Sequence, residues 1–338
     1  GNPDLTFADV YELNAGFEIA LLKRSLYAEV NYFQRRKTGL VAQTVNEYMG
    51  VIGGSDFIMS RNYGISEGRG FEISLAYSKR FDPDWSLSVN AGMVYYNAKN
   101  RKIDELNYGP GLEYNQKTDK SLSALWGYVA DGFYTQEEID RINDPADKTL
   151  AKPSFGTVRA GDLKYRDLND DKIIDDNDMC WTGNPTVPEI IYGFGFSLKY
   201  KGFDCSAFFQ GQGKVSILMY NYHPFATAAT PGSGLMQWIA DEHWSEDDPN
   251  PKALYPRLSP LWNNNNTKAS TLYVRNGKML RLKTAEIGYT YKKMRVYVSG
   301  TNLLTFAPFK YWDPEKGSGN GLGYPLQRTY NLGFQFNF

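Results

Sequence analysis

This chain of 338 residues is short of several things, and each shortage excludes a class of function. It has two cysteines, Cys180 and Cys205, too few for a disulfide framework, although a single bridge stays open. It has two histidines, His223 and His243, which fall in one inter-strand link with no further ligand at metal spacing. There is no nucleophile elbow, no H-E-x-x-H and no Ser/His/acid set, so no enzyme is expected. Gly211-Gln212-Gly213-Lys214 lacks the upstream glycine of a phosphate loop, because Phe208 stands at the needed position. Neither sign of charge is in surplus: Lys plus Arg is 37 and Asp plus Glu is 38, for a net charge of −1, which gives nucleic acid no basic face. No apolar run approaches the ~18 residues of a membrane helix. The start, Gly1-Asn2-Pro3-Asp4-Leu5, has neither the charged nor the apolar region of a signal peptide.

What is abundant is aromatic and turn-forming. Aromatics make up 15% of the chain, with 25 Tyr, 19 Phe and 7 Trp, beside 32 Gly and 16 Pro. That mixture suits many strands joined by many turns.

Segments of about 10 residues with period-2 alternation recur along the chain. The first carries Tyr11, Leu13, Ala15, Phe17, Ile19 and Leu21 on one side and Glu12, Asn14, Gly16 and Glu18 on the other. Further segments run through Leu26–Tyr32, Phe71–Tyr77, Trp85–Tyr95 and Tyr192–Tyr200. A weaker one lies at 203–212, and the rest cover Ala285–Tyr291, 295–306 and Tyr330–Phe338, for about nine strands in all. Their polar sides are rich in Gly, Ser and Asn, and Tyr and Trp gather near strand ends. A transmembrane barrel predicts that pattern, but a soluble sandwich also alternates.

The connections separate the two. Lys23-Arg24, Asp82-Pro83-Asp84, Lys201-Gly202 and Lys292-Lys293-Met294 are tight turns. The links between them are long: 37–68, 98–189, 213–278 and 307–325. Strict alternation of short and long puts all long loops on one side of an up-and-down barrel. An odd strand set leaves free edges, which lipid does not tolerate, so the expectation is an all-β antiparallel segment of a larger transmembrane barrel.

In the order of its motifs the chain resembles the C-terminal part of SusC/RagA-like TonB-dependent outer-membrane transporters of Bacteroidetes. The resemblance rests on Gly127-Tyr128, Asp131-Gly132-Phe133 and Gly161-Asp162-Leu163-Lys164-Tyr165-Arg166-Asp167-Leu168-Asn169. It continues through Gly183-Asn184-Pro185, Tyr200-Lys201-Gly202-Phe203-Asp204, Leu280-Arg281-Leu282-Lys283, Ser299-Gly300-Thr301-Asn302-Leu303-Leu304 and Asp313-Pro314-Glu315. Tyr324-Pro325-Leu326-Gln327-Arg328-Thr329-Tyr330 and the terminal Phe338 close it. It implies that residues 1–338 are the later part of a barrel of about 22 strands. It also implies outer-membrane lipid around the wall, a SusD-like surface lipoprotein as lid, and energy from the TonB complex through a plug. The implied cargo is an oligosaccharide or a peptide. The alternative is a soluble extracellular carbohydrate-binding β-sandwich with a structural calcium.

Two loop features could bind something. Asp167, Asn169, Asp171, Ile173, Asp175 and Asp178 follow positions 1, 3, 5, 7, 9 and 12 of an EF-hand-type loop, so a structural Ca²⁺ is an expectation. Lys172 in place of the turn glycine and Asp178 in place of the usual Glu depart from that loop; the other reading is a solvated run of Asx turns. The loop tryptophans Trp126, Trp181, Trp238, Trp262 and Trp312 are candidate sugar-stacking residues, set against plain loop packing. The 98–189 stretch is far beyond ordinary loop length and is expected to fold on itself, with a short helix at Glu137–Asn143 capped near Thr135. Asn265-Asn266-Thr267 reads as part of a solvated polar loop.

Overall fold

The computed structural model describes residues 2–47, 58–219, 236–259 and 262–336. His223 and Phe338 lie outside the described residues. One antiparallel sheet of nine strands dominates. Its strands are β1 (Asp9–Leu21), β2 (Leu26–Gln43), β3 (Ser60–Asp82), β4 (Trp85–Lys102), β5 (Ile190–Tyr200), β6 (Phe203–Gly213), β7 (Met279–Tyr291), β8 (Met294–Phe306) and β9 (Thr329–Phe336). They pair in chain order, and among the described residues β1 and β9 are open edges, so the barrel is not closed in this piece.

The register turns the alternation of each strand into two continuous faces. Ile19, Ala28, Leu75, Ala91, Phe194, Phe209, Leu282 and Leu304 form one row across eight strands. Nearer the tight turns, Trp85, Tyr200, Phe203, Tyr289, Val296 and Phe334 form an aromatic-rich belt. Among the described residues no second sheet seals this side: Phe334 is 73% and Ile287 66% exposed. A sandwich would have buried them, so the exposed apolar face disfavours that alternative. The opposite face carries Glu18, Glu29, Ser74, Gly92, Gly193, Gln210, Arg281 and Thr305 in one row. A second row there reads Ser78, Ser88, Ser197, Ser206, Glu286, Ser299 and Asn331.

The strands beside the first long link outrun the expectation. β2 continues to Gln43 and β3 begins at Ser60, which shortens that link to 44–59. A membrane needs about 9–11 strand residues, and β3 has 23. The apolar alternation stops near Tyr32 and Phe71, but the ladder goes on because charges pair across it. Arg35 bonds Glu12, and the buried Glu67 sits between Arg69 (2.5 Å) and Arg101 (3.0 Å).

The buried core belongs to the long links, not to the sheet. Tyr128, Phe133, Leu163, Tyr165 and Ile174 pack with Ile217, Met219, Ile239, Trp244, Tyr255, Tyr273 and Phe309. The 98–189 excursion thus shares its main core with the two later links and closes a smaller one of its own around Tyr134, Ile139, Ile142 and Val158. Its helix α1 (Gln136–Asn143) starts at Thr135, whose hydroxyl accepts from Glu138 N, while the Glu138 carboxylate accepts from Thr135 N. Ile139 and Ile142 bury the inner face of α1.

Candidate functional site

The polar face of the wall and the loop body above it are the two places where a solute could be held. A hollow of about 460 Å³ on the polar face is lined by Glu29, Glu72, Ser74 and Gln210. Another, of about 560 Å³ near the tight turns, is lined by Lys199, Asp204, Glu286 and Arg295. Arg295 donates through Nε to Asp204 Oδ1 at 3.0 Å and through Nη2 to Glu286 Oε1 at 2.5 Å. This cluster exists because Gly288 stands across from Asp204. A Cβ there would lie 2.6 Å from Arg295 Nη2 and 2.8 Å from Asp204 Oδ2.

Arg281 fastens a loop to the wall. Its guanidinium is 1% exposed; Nη2 donates to Asp313 Oδ1 at 2.5 Å, and Nη1 lies 3.4 Å from Glu315 Oε2. Asp313 also accepts from Glu315 N, closing the turn at Pro314–Lys316. The Leu280–Lys283 and Asp313–Glu315 motifs, read separately in sequence, are one clasp.

A second clasp centres on Asp162, which is 0% exposed. Its Oδ1 accepts from Asn263 Nδ2 and Asn266 Nδ2, each at 2.8 Å, and its Oδ2 from Arg159 N at 2.8 Å. Arg257 Nε lies 2.7 Å from Oδ1 as an ion pair, and Nη2 donates to Oδ2 at 3.2 Å. Asn266 Oδ1 accepts from Leu163 N, and Asn265 Nδ2 donates to Leu163 O. Asn265 and Asn266 are therefore buried, and their amides satisfy the backbone of Leu163 about a hundred residues away. Burial pushes the Tyr165 and Tyr273 hydroxyls far up in pKa, so both stay protonated and donate, to Asn265 O and Asn266 O.

In the Asp-rich turn, side-chain oxygens take up backbone donors. Asp167 accepts from Lys172 N, Asn169 from Asp171 N, Asp171 from Ile173 N and Asp175 from Asn177 N. Asp178 is buried and accepts from Leu168 N at 2.7 Å and Asp175 N at 2.9 Å. Burial raises its pKa, against those two hydrogen bonds, and nearby Asp167 and Asp171 add to the rise. Lys172 adopts φ 66°, where an EF-hand-type loop has glycine. Among the described residues no three His, Cys, Asp or Glu side chains converge to hold a metal ion. Tyr128 donates to Asp176 at 3.0 Å and ties the turn to the core.

The tryptophans divide. Trp126 and Trp181 sit directly opposite each other in a two-stranded pair, with Lys117 5.8 Å from the first ring and Lys120 5.2 Å from the second. Trp238 packs at a tilt against Tyr311, and Trp312 packs edge-on against Phe309 with its Nε1 donating to Gly317 O, so both rings serve loop packing. Trp262 is 45% exposed and Trp181 40%. His243 Nδ1 pairs with Ala240 O at 2.8 Å. Sequence reasoning missed Asp162, Arg257 and Arg295; the Gly161-Asp162-Leu163 motif was the nearest signal.

No helix among the described residues is long and apolar enough to cross a membrane; the crossing elements are strands. No family model matches the chain. It is 29% identical over its whole length to TonB-dependent receptor P26 of Formosa agariphila and 26% identical to TonB-dependent receptor P3 of the same organism. Each match covers 35% of the relative, so the chain spans about a third of the length of these relatives. A solved structure of the RagAB peptide transporter superposes on all of this chain and 36% of its own, with a TM-score of 0.66 and 20% identity. The fold is therefore that of a segment of an outer-membrane β-barrel, and the chain is similar over its whole length to part of two TonB-dependent receptors. Its sheet and loops share the fold of the RagAB transporter's barrel, and the curated relatives it matches are receptors.

Proposed function

We propose that this chain supplies wall and extracellular loops to an importer of oligosaccharides or peptides. The importer works under a SusD-like surface lipoprotein and is driven by TonB through a plug formed elsewhere in the protein. One observation carries the reading: the sheet is apolar outward and polar inward in unbroken rows, and a packed loop body lies on one end of it. Such a wall faces lipid and a wet lumen, while the loop body offers a rigid surface to cargo and lid. Resemblance to a peptide transporter supports peptides; exposed Trp181, paired with half-buried Trp126, supports sugars, whose rings stack on indole faces. Deleting the full-length receptor from its cells should abolish uptake of labelled oligosaccharide or of labelled peptide, and complementation should restore it. Affinity purification should bring down a surface lipoprotein. Undiminished uptake of both cargoes would overturn the reading.

Calcium in the Asp-rich turn is a separate proposal. It is supported by Asp167 Oδ1, which is buried without a hydrogen-bond partner, and by Asx turns at the spacing of a calcium loop. A saturable rise in thermal stability with Ca²⁺ and not Mg²⁺, lost in Asp167→Ala, is the expected result; no rise would sink it.

A further inference from the structure

The tight-turn rim presents a repeated arrangement that the import function leaves unused. Lys79 lies 5.0 Å from the ring centre of Phe81, Lys201 5.3 Å from Tyr200, and Lys292 5.4 Å from Tyr291. All six side chains are exposed, and Tyr200 and Phe81 stand with Trp85 in the lipid-facing belt. Lys79 itself is on the outward face, paired with Leu87. Among the described residues none of these lysines has a carboxylate partner. The hairpins are contiguous: Lys201 N donates to Asp84 O and Thr290 N to Gly202 O, so the three lysines follow one another along a single rim. Neighbouring hairpins are two strands, or about 10 Å, apart.

The backbone at these turns sharpens the point. Lys23, Arg24, Lys201 and Lys292 have φ between 49° and 65°, the left-handed region where Asn, Asp and Gly fit best. Turn geometry therefore does not call for lysine or arginine here, yet Lys23, Arg24, Lys201, Lys292 and Lys293 occupy the turns, against Asp82 and Asp84 as acids. An aromatic ring at the hydrocarbon boundary holds a lysine stem along it and sets the ammonium at headgroup depth. A row of such cations with no internal counter-charge is complementary to phosphate diesters.

We infer that this rim is a binding surface for anionic phospholipid headgroups of the leaflet on the tight-turn side, with Lys79, Lys201 and Lys292 each reading one phosphate. The test uses the full-length receptor in nanodiscs of phosphatidylethanolamine with or without phosphatidylglycerol, and native mass spectrometry of the lipids that stay bound. The variant is Lys201→Asn with Lys292→Asn, since Asn suits the left-handed backbone and leaves the hairpins intact. Wild type should retain phosphatidylglycerol at least about fivefold over its share of the bilayer and gain thermal stability from it, both diminishing with salt. The Asn variant should lose both the enrichment and the gain while keeping its melting temperature in pure phosphatidylethanolamine, and Lys201→Arg with Lys292→Arg should keep both. Equal retention of the two lipids by wild type, unchanged enrichment in the Asn variant, or equal loss in the Arg variant would each overturn the inference. These readouts do not involve uptake, so they stand apart from the import proposal.

Discussion

The wall and the loop body of this molecule obey opposite rules with the same amino acids. In the wall, Ile287, Leu332 and Phe334 point outward and are mostly exposed; in the loop body, Leu163, Ile174 and Ile217 are wholly buried. The loop body is built like a water-soluble domain: its apolar groups leave water by packing on each other, and its buried Asp162 and Asn266 find their partners inside. The wall reaches the same end by a different route, because its solvent on one side is hydrocarbon, where exposed Phe and Leu carry no penalty and unpaired backbone does. The lesson is that an exposed apolar row across a whole sheet defines the surrounding medium, provided that the other face is continuously polar.

The sharpest way to break that comparison is to disturb the loop body alone. Asp162→Ala would leave Arg257 and the amides of Asn263 and Asn266 unpaired in a buried site. Removing one partner of a buried charged network costs about 3–5 kcal/mol. Hydrogen exchange should then rise around 159–166 and 257–273 while the wall ladders stay protected. If wall and loops open together, they are not separate cooperative units. Next comes the wall. Ile287→Arg places a charge on the lipid face and should cost about 2–4 kcal/mol at mid-depth, read from equilibrium refolding into lipid vesicles. Ser206→Arg, whose position is opposite Glu286 on the polar face, should be nearly silent. In a water-soluble sheet Ile287→Arg would be harmless, so equal effects at the two positions would refute the medium assigned to each face.

A smaller effect tests how locally the loop body is built. Thr135→Ala removes the acceptor for Glu138 N and should destabilise α1 by about 1 kcal/mol, measured as faster proteolysis within 136–150. The cap was legible in sequence because its partners are three residues apart. So were the strands and the tight turns, since alternation and Gly, Pro and charged turn residues are local signals. The clasps were not: Asn266 reaches Asp162 across 104 residues and Arg281 reaches Asp313 across 32, and no local pattern records such a pairing. The upper reaches of β2, β3 and β4 were missed for a related reason. There, cross-strand charge pairs replace the apolar alternation that marks a strand, so Glu67 read as loop. Asp162 was visible only as part of a motif, with nothing to say that three side chains would converge on it.

The smallest expected effect is a pH dependence within the loop body, and here two carboxyls oppose each other. Burial alone would raise the pKa of Glu138, but Lys164 at 2.7 Å and the hydrogen bond from Thr135 N hold it below its ordinary value of 4.5. Its stabilisation is thus complete above that value and is lost as pH falls through the depressed folded pKa. Asp178 is raised by burial above its ordinary 3.8, so the folded state is favoured while it is protonated, and that contribution is lost as pH rises through the folded value. In the acid range where the two groups titrate, the slopes therefore have opposite sign. Asp178→Asn should remove the falling one and leave stability rising monotonically with pH over that range, whereas Glu138→Gln should leave only the fall. Both slopes are read by hydrogen exchange of the loop body in detergent. A loop body whose stability fell with pH in the Asn variant would show that groups other than these two set its acid response.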